Sequence, residues 1–284
     1  MLKRFIRWLV LPLFLHVTSS LANQQPNFAE LESTMQGHLG VYAVDTSNDH
    51  TIAYHADQRF PFDSTFKVIL VAAILKESET HPGLLQQTLY YTPLEVDESG
   101  YAPIASQHIA TGMTIQQLCI AALNYSDNTA ANLLIKQLGG LNAVNAFAQS
   151  MGDKSFRLDR WEPDLNDNTP GDLRDTTTPE AMGKTLQKLV LGNVLSNAQR
   201  TLLQTWLKQN MTGKERIGAG IPKNWIMGDK TGMGKHSNND IAVIWPPHSS
   251  PIVLVIYSTA PQSPPPNTLI ASVTHFVISD MRSA

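Results

Sequence analysis

The sequence predicts a two-lobed α/β fold: an antiparallel sheet built from both chain ends and flanked by helices, with an all-helical lobe inserted between them. Three observations predict it. Short β-prone apolar runs are confined to residues 39–54 and 241–257. Helical periodicity fills the stretch between them, broken by Gly or polar residues. Residues 66–75 are apolar nearly all round, which suggests a helix buried on every side. A cleft between two such lobes is a favoured place for a small-molecule site.

In chain order, residues 1–22 read as a secretory signal. Lys3, Arg4 and Arg7 give a basic start, residues 8–17 are apolar, and Ser20-Leu21-Ala22 supplies small residues for cleavage. The apolar stretch is too short to span a bilayer, so the mature chain is expected from Asn23 and free of the membrane. Within 23–284, the α/β lobe takes about 23–60 and 212–284, and the helical lobe about 61–211. Residues 39–45 and 51–54 form a hairpin around the polar Ser47-Asn48-Asp49 turn. Helices follow at 66–75, 114–123, 129–138 and 141–151. Thr178-Pro179-Glu180 marks a further helix start, a capping Thr followed by Pro in the first turn. Strands return at 241–245 and 251–257, and a helix over 267–281 closes the chain.

Loss of residues 1–22 removes three of the 21 basic residues, leaving 18 against 24 acidic ones and a formal charge of −6. That balance gives no electrostatic case for nucleic acid or an anionic membrane as partner. The single Cys119 lies in an apolar run and reads as an inert core residue. One thiol makes no internal disulfide, so packing must supply the stability. None of the nine His residues has metal-ligand spacing, and neither a metal nor a cofactor is expected.

Three short strings carry the chemistry: Ser64-Thr65-Phe66-Lys67, Ser126-Asp127-Asn128 and Lys230-Thr231-Gly232. A serine hydroxyl is a poor nucleophile until a base takes its proton. Ser64 is expected at the start of the buried helix, where free N–H groups favour developing negative charge. Lys67 follows about one turn later, with the apolar run behind it making its neutral form accessible. Ser126-Asp127-Asn128 also reads as an N-capping cluster for the next helix. Gly232 permits close approach to the backbone of a strand lining the cleft. Between the second and third strings lies a long loop, 157–175, carrying Arg160, Glu162, Pro163 and Asn166. A loop of that length in a compact domain is usually functional, and Glu162 can serve as a general base for water.

These strings together are the signature of active-site-serine β-lactamases and penicillin-binding proteins, and the chain resembles a class A β-lactamase over about residues 27–280. The resemblance implies that Ser64 opens a β-lactam ring and that Lys67 or Glu162 takes its proton. It also implies that Ser126 relays a proton to the leaving nitrogen, that Glu162 activates the deacylating water, and that Asn166 positions it. Asn128 would bond the substrate's side-chain amide, and Asp127 would be structural. Lys230 and Thr231 would hold its carboxylate, Met233 and Ser64 N–H groups would form the oxyanion hole, and Tyr101 would wall the cleft entrance. Arg216 would assist with the carboxylate, and Arg160 would pair with Asp175 beside a cis Glu162–Pro163 bond. In several carbapenem-hydrolysing relatives a disulfide joins the positions held here by Asp63 and Gly234. The signal implies export to the periplasm or medium, and the resemblance implies a monomer. The rival readings are a D,D-peptidase of cell-wall synthesis, a β-lactam sensor that acylates once, and a solute-binding protein. Glu162 with Asn166 counts against the first, the lack of a signalling domain against the second, and Lys67 with Glu162 against the third.

Overall fold

A computed structural model describes residues 28–167 and 169–282, so the signal at 1–22 and the start at Asn23 lie outside the described residues. Helix α1 (Phe28–Met35) leads into strand β1 (His38–Asp45), which turns back as β2 (Thr51–Tyr54). The two pair antiparallel from Val44 opposite Thr51 to Val41 opposite Tyr54, as the hairpin pattern predicts. Asp45 accepts from the Ser47 amide (2.8 Å), and Asp49 takes the left-handed conformation that the turn requires (φ 59°).

The chain then crosses through β3 (Phe60–Pro61) and a 3-10 turn (Asp63–Phe66) into α2 (Lys67–Ser78). Residues 67–75 of α2 are all buried, so the helix runs through the middle of its lobe. Each fully buried Leu or Ile there stabilises by about 1.5–3 kcal/mol. Against it pack α4 (Ile115–Asn124), α5 (Asn128–Gln137) and α6 (Leu141–Ser150), while β4 (Thr88–Leu89) pairs with β5 (Met113–Thr114) beside α4 and α3 (Pro93–Ser99) rests on α5. Cys119 on α4 is buried, and burial drives its thiol pKa far up, as an inert core residue requires. After the 157–175 loop come β6 (Thr176–Thr177), paired with β3, and α7 (Pro179–Val190). Thr178 caps α7 by accepting from the Ala181 amide (3.2 Å).

Helix α8 (Asn197–Lys208) and the short α9 (Ile217–Gly220) bring the chain back to β7 (Ile226–Met233), β8 (Asn238–Trp245) and β9 (Ile252–Thr259), and α10 (Asn267–Met281) ends it. The sheet order is β2-β1-β9-β8-β7, with every pair antiparallel. β1 lies against β9 from His38 opposite Thr259 to Asp45 opposite Ile252, which joins the two chain ends in the middle of the sheet. Alternation along the strands sorts the side chains by face. Val41, Ala242, Leu254 and Ile256 meet Ile270, Val273 and Val277 of α10. Tyr42, Val44, Ile241, Val243 and Val255 face the same core as the helical lobe.

Two expectations need adjustment. Ser64 belongs to the 3-10 turn, and α2 itself begins at Lys67, because the chain is still turning away from β3 at Ser64. The 157–175 loop also holds structure of its own, a 3-10 turn over Asp164–Asn166.

Candidate active site

The 3-10 turn that carries Ser64 packs directly on β7, and Gly232 is what allows it. A Cβ on Gly232 would lie 2.8 Å from the Phe62 carbonyl oxygen and 3.0 Å from Asp63 Cβ. The close approach expected at this glycine is therefore made by the nucleophile turn itself. It brings Lys230-Thr231-Gly232, on the edge strand, beside Ser64-Thr65-Phe66-Lys67.

Lys67 is fully buried. Its ammonium donates to the Ser126 carbonyl (2.9 Å) and Asn128 Oδ1 (2.8 Å), and pairs with Glu162 Oε1 (3.0 Å). Ser64 Oγ donates to that same Glu162 oxygen at 3.3 Å. Glu162 thus joins the serine and the lysine through one atom. Ser126 adopts a left-handed backbone (φ 59°), with its carbonyl bonded to Lys67 and its hydroxyl accepting from Lys230 Nζ (3.0 Å).

Asp127 caps α5 through the Ala130 amide (2.9 Å) and holds the amides of Ile104 and Ala105 with its other oxygen, both at 2.9 Å. Those bonds fix the segment that presents Tyr101, whose carbonyl accepts from the Asn128 amide (2.8 Å). Tyr101 itself is 59% exposed, so it is not a packing residue.

Glu162 comes from the long loop, closed at its base by Asp175. Asp175 accepts from the amides of Asp159 (2.7 Å) and Arg160 (3.0 Å) and pairs with Arg160 Nε at 2.5 Å. The Glu162–Pro163 bond is cis. Asn166 Nδ2 donates to Glu162 Oε2 (2.5 Å), while its buried Oδ1 has no partner among the described residues. That oxygen is an acceptor placed next to the Glu162 carboxylate.

Thr231 Oγ1 bonds Thr212 Oγ1 (2.6 Å) beside the buried Lys230, and Met233 at the strand end is 51% exposed. Arg216 is buried, donating Nε to Asn267 Oδ1 (3.0 Å) and Nη1 to the Asn239 carbonyl (3.2 Å).

Burial lowers the affinity of Lys67 for its proton, against the pull of Glu162. Burial does the same more strongly to Lys230, with the charge of Lys67 adding to it. Behind them, Asp229 is raised by burial to about 6, and the neighbouring Asp240 is raised well above the usual range by burial and by Asp229. Burial and the neighbouring charges thus shift the proton affinities of the whole cluster, the lysines downward and the two carboxyls upward.

Sequence reasoning missed several residues of this cluster. Asn132 clamps the Glu162 backbone on both sides, donating to its carbonyl (2.9 Å) and accepting from its amide (3.1 Å). Its position four residues after Asn128 on α5 was the available signal, since such residues share a helix face. Asn210, which donates to Asp229 (2.6 Å), and Thr212 lie in a loop with no motif to mark them.

A serine within reach of a buried carboxylate, backed by a lysine and set between a helical and an α/β lobe, defines an active-site-serine hydrolase. The model of the beta-lactamase enzyme family matches residues 24–279. The beta-lactamase OXY-1 of Klebsiella oxytoca is 50% identical over 242 residues, 84% of this chain and 81% of that protein. A beta-lactamase from Desulfarculus baarsii superposes with a TM-score of 0.87 at 45% identity, covering 90% of this chain and 96% of that one. The ancestral class A beta-lactamase GNCA gives a TM-score of 0.85 at 47% identity, covering 89% and 98%. The chain belongs to the beta-lactamase family, class A.

Proposed function

We propose that this protein hydrolyses β-lactams by acylation and deacylation of Ser64, and so confers resistance to penicillins and cephalosporins. The observation that carries the reading is the Glu162 oxygen shared by Ser64 and Lys67. As Ser64 Oγ attacks the ring carbonyl, its proton passes to the Glu162–Lys67 pair. The tetrahedral oxyanion is held by the backbone N–H groups of Ser64 and Met233. Ser126, bonded to Lys230, delivers a proton to the ring nitrogen as the C–N bond breaks and regains one from the neighbouring Glu162–Lys67 pair, which frees Glu162 for the next step.

Lys230 and Thr231 bind the substrate carboxylate, and Arg216 reinforces them by charge, since its own hydrogen bonds go to protein acceptors. Asn128 meets the side-chain amide, and Tyr101 walls the entrance. Glu162 then takes a proton from water held against Asn166 Oδ1, the hydroxide attacks the ester carbonyl, and Ser64 Oγ leaves as its C–O bond breaks and takes that proton from Glu162. The reading extends to export of the mature chain and to a monomer, and it includes no cofactor.

A Ser64→Ala variant tests it. Purified protein should hydrolyse benzylpenicillin, and the variant should lose that activity by a factor on the order of 10⁴ or more. Equal turnover by the two proteins would contradict the reading.

A further inference from the structure

We propose that Asp63 is a positioning residue for deacylation, acting through a hydrogen-bonded path from the nucleophile turn to Asn166. The inference rests on the reading above, in which Glu162 and Asn166 drive that step. Asp63 directly precedes Ser64, is fully buried, and holds a left-handed backbone (φ 46°) that turns its carboxylate inward. Its Oδ2 accepts from Ser237 Oγ (2.6 Å) and Asn239 Nδ2 (2.7 Å). Asn239 also donates to the Pro61 carbonyl (2.9 Å) and accepts from the Ser258 amide (3.1 Å), which roots the contact in β8 and β9.

Ser237 is the last residue of the turn between β7 and β8. Its carbonyl accepts from the Gly234 amide (3.1 Å), and the next amide, of Lys235, donates to the Asn166 carbonyl (3.0 Å). Asn166 in turn donates to Glu162 Oε2 (2.5 Å). The path therefore runs Asp63, Ser237, Gly234–Lys235, Asn166, Glu162. The turn follows the exposed Met233 at the end of edge strand β7, and the Ala260 amide, donating to the His236 carbonyl (2.9 Å), ties its far side to the end of β9. A carboxylate suits the role because it only accepts, and at this buried position both Ser237 Oγ and Asn239 Nδ2 donate to it. The carboxylate thus ties the β7–β8 turn to the residue before the nucleophile.

The test compares wild type with Asp63→Ala, Asp63→Asn and Ser237→Ala. Acylation and deacylation by benzylpenicillin are timed separately by quenched-flow intact mass, at a temperature where circular dichroism shows each protein folded. Asp63→Ala should slow deacylation about tenfold or more and acylation less, so that the penicilloyl-enzyme accumulates. Asp63→Asn, which can still offer an oxygen to both donors, should restore most of the rate. Ser237→Ala should slow deacylation, and the double variant Asp63→Ala/Ser237→Ala should be little slower than Asp63→Ala alone. Wild-type deacylation in folded Asp63→Ala, with only a lowered melting temperature, would overturn the proposal. Should Asp63→Ala not fold, Ser237→Ala decides: slowed deacylation supports the proposal and an unchanged rate overturns it. Absence of hydrolysis by wild type would strike the reading of the site, whereas normal wild-type turnover beside unaltered variants would strike this inference alone.

Discussion

At the scale of single residues, the site works by denying water to charges and giving them one another. Lys67, Glu162 and Lys230 are all buried, and each is held by two or more contacts to protein groups. Asn132 shows how much depends on a backbone clamp. Removing it as Asn132→Ala frees the Glu162 amide and carbonyl, and deacylation should slow by about 10- to 100-fold while acylation changes less. Rapid-mixing intact mass would read the two steps apart. The carboxyl of Asp229, raised to about 6 mainly by burial and flanked by Asn210, Lys230, Asp240 and Arg216, gives a pH prediction. A carboxyl with a raised folded pKa binds its proton more tightly in the native state. Its stabilising effect is complete below about pH 4 and is lost as the pH rises through 6. Asp229→Asn should therefore flatten the fall in unfolding free energy between pH 4 and 6, measured by urea titration. The motifs made Ser64, Lys67, Ser126, Glu162 and Lys230 legible because their chemistry fixes both residue type and spacing. Asp229 and Asp63 were not legible, because their roles come from contacts between segments distant in sequence, and Asn132 was marked only by sharing a face of α5 with Asn128.

At the scale of elements, two packing devices set the geometry. α7 crosses β1 at Gly183, where a Cβ would lie 2.3 Å from the Tyr42 ring. Helix propensity alone favours Ala over Gly by about 1 kcal/mol. Here the clash should win, and Gly183→Ala should destabilise by about 1–3 kcal/mol in a denaturant melt. A gain in stability would show that the helix can lift away freely. The second device is the closure of the 157–175 loop on Asp175. Three of its hydrogen bonds are gathered at that buried carboxylate, whereas residues 169–174 line a cavity of about 450 Å³ with Arg59, Phe60 and Pro261. Asp175→Ala should raise amide exchange through the half of the loop that carries Glu162 and slow deacylation with it. The hairpin, the buried helix and the last helix were plain in the sequence, since each is set by its own periodicity and turn residues. α8 was not, because only Leu203, Trp206 and Leu207 are buried, with Leu202 half-buried beside them, on a helix rich in polar residues. The 3-10 turn at Ser64 was equally hidden, being imposed by the packing of Phe62 and Asp63 on β7.

At the scale of the whole molecule, the sheet made from both chain ends is what brings residues 64, 126, 162 and 230 together. β7 sits at one edge of the sheet against the Asp63–Phe66 turn and α8, and just past its end the Lys235 amide reaches the loop at the Asn166 carbonyl. The β runs at the two ends predicted that union, but the order of strands depends on which edges meet, and no local pattern encodes it. The central claim is that Ser64 is acylated and that Glu162 drives release. Its most direct test is the intact mass of residues 23–284, wild type and Glu162→Ala, followed with benzylpenicillin as ring opening is recorded. Rapid hydrolysis by wild type, with a lasting single penicilloyl adduct on the variant, is the expected result. A lasting adduct on both proteins would contradict it and mark a penicillin-binding protein or sensor. Absence of both adduct and hydrolysis would contradict the assignment of Ser64 itself.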